Sequence, residues 1–207
     1  MKQYLITIVL VSAYILGDAQ TQLNDSNIAK TMQKLSDTTV IIQYPSVWSH
    51  EPFLLFLSKT GDTITAYEYR RPEIRKVKGL VPSAIRKAMY YKDLTEYMNE
   101  PVSVNRYFVE KDIAVDTLRD LWIDILSLKL WFMKDDAIEG SGCPTVKGSN
   151  VSIDDAGGIY ILLISKAEIK PLNFYAPKEF ERICPGRKGR QTAIKLSSLI
   201  GKVFKGH

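Results

Sequence analysis

Two stretches of this chain carry the pattern of β-hairpins, and they set its fold class. Residues 53–70 read FLLFLSKTGDTITAYEYR, with Gly61 and Asp62 as turn residues between apolar or β-branched runs. Residues 157–177 read GGIYILLISKAEIKPLNFYAP and turn between Lys166 and Glu168. TTVIIQY, residues 38–44, reads as a further strand, so three consecutive antiparallel strands lie in the first third of the chain. PVSVNRYFVEK, residues 101–111, reads as another. The two hairpins share Ser58-Lys59 and Ser165-Lys166 in step. Two apolar hairpins resemble one another without common origin, and two copies give much less warrant for duplication than a sustained repeat.

Helical signals fill the intervals. In LNDSNIAKTMQKLSD, Ile28, Met32 and Leu35 share one face behind candidate caps at Asp25 or Ser26. Between Pro82 and Glu100 the apolar residues hold no single stripe, and Asp93 with Glu96 has the spacing of a capping box. That predicts two short helices. From Val115 to Met133 the pattern is the strongest in the chain: Leu118, Leu121, Trp122, Ile125, Leu128 and Phe132 gather on one broad face. A short helix starts near Pro177, and an amphipathic one covers Gln191 to Phe204. No polar linker divides these elements. The expectation is an α+β fold in a single domain, a largely antiparallel sheet built from two hairpins with packed helices.

The N-terminus speaks to destination. Met1-Lys2 is a positive start, Tyr4 to Gly17 is an apolar run, and Gly17-Asp18-Ala19 places small residues at the third and first positions before a cut. These are the parts of a secretory signal peptide. A spanning helix needs about 20 consecutive apolar residues, and this run ends at Asp18 with no basic flank after it. The Ala19-Gln20 junction resembles those of exported bacterial proteins. Residues 1–19 are therefore expected to be removed, leaving residues 20–207 as one domain in the periplasm or outside the cell. Losing Lys2 and Asp18 leaves the net charge at +5.

In an oxidising compartment the two cysteines, Cys143 and Cys184, form a candidate disulfide. Cys143 lies in the Gly-rich EGSGCPTVKGSN, and each cysteine precedes a proline, which favours extended backbone. Closing a loop of about 40 residues would stabilise the fold by roughly 4 kcal/mol on the chain-entropy view. A pair of buried thiols and a single reactive thiol are the competing readings. A zinc site finds no support in the spacing, since His50 and His207 stand far from either cysteine.

Charge is uneven along this basic chain. Arg70, Arg71, Arg75 and Lys76 belong to one basic segment, and Arg187, Lys188 and Arg190 to another, while acids concentrate between residues 110 and 139. The basic segments are candidate anion-binding sites. No recognisable nucleic-acid motif accompanies them, and a solvated surface is the plainer reading. Asp112, Asp116, Asp120 and Asp124 recur every fourth residue, a ridge better explained as a solvated helix face than as a cation site, because a helix cannot wrap its side chains around one ion. Tyr44 and Trp48, beside Pro45, are a candidate aromatic contact for a sugar or a protein.

No catalytic residues are assigned. Ser49, His50 and Glu51 are sequence neighbours, whereas the members of a triad converge from different segments. P-loop, dinucleotide fingerprint, HExxH and GxSxG patterns do not occur. No cofactor or metal is expected. The leading expectation is an exported envelope protein with a non-catalytic binding or structural role towards a protein or anionic polymer. The alternatives are a carboxylate-dependent hydrolase of an envelope polymer, which needs two suitably separated acids, and an inhibitor or immunity-like protein that binds a toxic enzyme.

Overall fold

The structure, a computed structural model, describes residues 27–46, 52–72, 81–140 and 153–205. The proposed leader, its cleavage junction, Trp48, His50, Arg75, Lys76 and Cys143 lie outside those residues.

The elements run α1 (Asn27–Leu35), β1 (Thr38–Gln43), β2 (Leu54–Thr60), β3 (Thr63–Tyr69), α2 (Ser83–Asn99), β4 (Phe108–Glu110), α3 (Val115–Ser127), α4 (Asp136–Glu139), β5 (Gly158–Ser165), β6 (Ile169–Tyr175), α5 (Pro177–Ile183) and α6 (Lys188–Lys205). A 3-10 turn, Leu130–Phe132, separates α3 from α4. All six strands pair antiparallel in the order β4-β3-β2-β1-β5-β6, giving the expected α+β fold. Strand β1 is central: Ile41 stands opposite Phe56 of β2 on one side and Leu162 of β5 on the other. Both expected hairpins form and flank β1, with Gly61 in the left-handed region at the first turn. Among the described residues no helix is long and apolar enough to cross a membrane.

Helices cover both sheet faces, so the inner strands are buried along nearly their whole length and read as unbroken apolar runs. One face is aliphatic. Val40, Ile42, Leu57, Ile161 and Leu163 pack there against Leu121, Trp122 and Ile125 of α3 and Leu196 and Ile200 of α6. The other face is aromatic and hydroxylated. Phe56, Tyr69 and Tyr160 meet Ile28 and Met32 of α1, Tyr97 of α2 and Tyr107. Tyr69 stacks on Tyr97 at 5.5 Å between centroids, and Tyr107 meets Tyr97 edge-on at 5.1 Å. Three buried hydroxyls link strand to helix: Ser58 Oγ lies 3.0 Å from Thr39 Oγ1, which lies 2.7 Å from Ser36 Oγ, which donates to the Met32 carbonyl. Each satisfies its neighbour, so burial costs little.

Four expectations need correction. Residues 83–99 form one helix, not two: only its C-terminal part is anchored, by buried Tyr97, so the exposed first half needs no apolar stripe. Asp93 and Glu96 do not make a cap, but gather Arg106 in ion pairs. The strand expected over 101–111 is reduced to Phe108–Glu110, because Asn105 turns the chain by accepting from the Tyr107 N–H. The long helix ends at Ser127, since Lys129 takes a left-handed conformation (φ 50°), and the lost phase turns Phe132 outward to 84% exposure. Leu35, at the end of α1, is likewise exposed.

Strand β6 lies at a sheet edge, where unpaired N–H groups invite another strand. Pro171 has no N–H to offer. The N–H of Asn173 donates to Asp135 Oδ2 at 3.0 Å and that of Tyr175 to Asp136 Oδ2 at 2.8 Å. Lys170 Nζ reaches the carbonyls of Trp131 and Met133, so the segment leading into α4 lies along this edge.

Candidate functional site

The two basic segments do not converge. Arg70 and Arg71 follow β3 near the β4 edge, whereas Arg187, Lys188 and Arg190 begin α6 beside the β6 edge. Arg70 and Arg71 line a cavity of about 230 Å³ together with Arg106 and Asp93. Two of its cations are matched by acids: Arg106 pairs with Asp93 and Glu96, and Arg70 lies 3.9 Å from Glu68. At the other edge, Arg190 is 1% exposed. Its guanidinium stands 5.2 Å from the Phe180 ring centroid and 3.9 Å from Asp136 Oδ1. Burial lowers the proton affinity of Arg190, and Asp136 opposes that effect. Burial likewise raises the Asp136 carboxyl above its ordinary range, against the pull of the Tyr175 N–H and of Arg190 and Arg187. Arg187 donates to the Glu139 carbonyl, and Lys188 is exposed. This cluster fastens α6 to α4, and α4 to the sheet edge.

A groove of about 710 Å³ lies beneath the second half of α6. The sequence builds it by interruption. Helix α6 turns Ala193, Leu196 and Ile200 into the aliphatic core, while Ile194, Ser197, Ser198 and Gly201 fall on an adjacent strip. That strip is mostly small, and a Cβ at Gly201 would meet nothing within 4 Å. Bulky residues face it from elsewhere: Tyr44 after β1, Phe53 before β2, Leu55 on β2 and Phe204 at the end of α6. Exposed Lys178 and Lys202 also line it. So does Glu68, the single carboxylate lining the groove among the described residues, held by Lys111 Nζ at 3.2 Å.

Tyr44 is the one candidate contact residue that the structure places here; Trp48 lies outside the described residues. Ser197 Oγ donates to Tyr44 Oη at 3.1 Å, and the two side chains also line a neighbouring cavity of about 250 Å³. Burial raises the Tyr44 phenol's pKa, and the Ser197 bond partly offsets it. Sequence reasoning missed the α6 strip. Its signal was present: Ser197, Ser198 and Gly201 interrupt one side of an otherwise apolar amphipathic helix. Cys184 closes α5 at its C-terminal cap. Asp116 of the acidic ridge pairs with Arg119 at 3.0 Å, and no metal-binding group of side chains occurs among the described residues.

No known protein family, curated protein or solved structure matches the chain.

Proposed function

We propose that this chain is a non-catalytic binding protein of the cell envelope, exported through its N-terminal segment and stapled by a Cys143–Cys184 disulfide. The partner is an anionic envelope component, and the groove beneath α6 receives it. One observation carries the reading: apolar and aromatic side chains line a cavity of about 710 Å³ that also carries two exposed lysines. Ligand sites have this composition, apolar area for affinity and a few polar groups for orientation. The basic segments support it less, because Arg190 is buried against Asp136 and Arg106 is matched by acids. Hydrolysis by two carboxylates is less well supported, since Glu68 is tied to Lys111 and no second acid faces it across the groove among the described residues.

The test is calorimetric titration of the mature chain with defined envelope polymers and lipids, followed by mass spectrometry of the recovered ligand. Saturable binding with the ligand unchanged is expected, together with its loss in Gly201→Trp, which fills open space rather than core. Release of a cleaved product would replace this reading with the hydrolase. Intact mass with and without reductant checks cleavage after Ala19 and the bridge in one measurement.

A further inference from the structure

The groove's walls also discriminate among anionic ligands. A peptide or sugar laid along it would bring polar groups that need partners once water is excluded. The apolar wall of Leu55, Ile194 and Phe204 offers no such partners. Before its last turn the backbone of α6 is committed to its own helix, and the Ser197 hydroxyl is already engaged with Tyr44. Ser198 is the one other hydroxyl that the helix turns to the groove, too little for the many polar groups of a polymer. A hydrocarbon chain makes no hydrogen-bonding demand. From Ile194 to Phe204 the helix rises about 15 Å, enough to lie beside an extended chain of about a dozen carbons. Charge decides the other end of the ligand: Lys178 and Lys202 are exposed at the groove, while Glu68 is neutralised by Lys111.

Resting on the binding reading above, we propose that the groove takes a single-chain anionic amphiphile, with an acyl chain along α6 and a carboxylate or phosphate held by Lys178 and Lys202. Gly201 is then the residue whose missing side chain makes room for the tail.

The experiment titrates the mature chain with dodecanoate, dodecyl phosphate, dodecanol and dodecyltrimethylammonium, each below its micelle concentration, and with carboxylates from eight to twelve carbons. Both anions should bind at least tenfold more tightly than the cation, and affinity should rise about fourfold per added methylene. The double variant Lys178→Ala/Lys202→Ala should lose about tenfold for the anions and leave dodecanol unchanged. Gly201→Trp should abolish binding of all of them while keeping the wild-type circular dichroism melt. Equal affinity for cation and anion, or no dependence on chain length, overturns the proposal; both comparisons use the unaltered protein, so they stand even if a variant misfolds. Should the amphiphiles fail while an anionic polymer still binds wild type and not Gly201→Trp, this inference falls and the binding reading survives. Failure of every ligand removes both.

Discussion

The two ends of α6 are built from similar residue types and do opposite things. At the start, Gly189 and Arg190 are buried in a closed arrangement with Lys134, Asp136 and Phe180. Further along, Ser197, Ser198 and Gly201 face open space beside two exposed lysines. Each end has a glycine. A Cβ at Gly189 would lie 1.9 Å from the Lys134 carbonyl oxygen, so the helix can approach that segment only without one. A Cβ at Gly201 would touch nothing. Basic residues and a glycine thus accompany close packing at one end and open space at the other, and the surroundings separate the two cases.

The sharpest way to break this contrast is to disturb the closed end. Asp136→Ala removes both the acceptor of the Tyr175 N–H and a carboxylate 3.9 Å from a buried guanidinium, and should cost about 3 kcal/mol of stability in urea unfolding. A change under 0.5 kcal/mol would mean that Arg190 draws little from the pair. Gly189→Ala should come next, at about 2 kcal/mol, because a backbone carbonyl must move. Gly201→Ala should do the reverse and stabilise by about 1 kcal/mol, the ordinary gain of alanine over glycine inside a helix. Equal signs at the two glycines would erase the distinction drawn here. The smallest effect is in pH. The Asp136 carboxyl is raised in the folded state, chiefly by burial, so the native protein holds this proton more readily than the unfolded chain does. Its contribution to stability is therefore full below the ordinary carboxylate pKa of about 4 and is lost as pH climbs through the raised value. Denaturant midpoints measured across the weakly acidic range should show that decline in wild type and not in Asp136→Asn.

Much of the fold was legible in the sequence because its strongest signals are local. Both hairpins, β1, α3 and α6 announce themselves through turn residues and periodicity, which do not depend on distant partners. The failures came where tertiary contact overrode local pattern. Residues 83–99 look like two helices until buried Tyr97 shows that one anchored end is enough. Phe132 fits the face of α3, yet a single left-handed residue, Lys129, takes it out of phase. The site was less legible. Arg190 looked like surface charge because nothing in the sequence places Asp136 beside it, fifty-four residues earlier in the numbering. Tyr44 was picked out as an aromatic contact, but its groove exists only because α6 crosses the ends of β1 and β2 with small residues turned towards it.

The treatment of β6 limits what can be added to the sheet at that border. With Pro171 lacking a donor and Asp135 and Asp136 occupying the next two, that border gives an incoming extended peptide no rail to zip onto, and β4 at the far border is only three residues long. Under the binding reading proposed above, a partner would be gripped by side chains across the helix-lined hollow rather than annexed as a further strand at either described border, and the same borders discourage copies of this strand-rich chain from growing into one another.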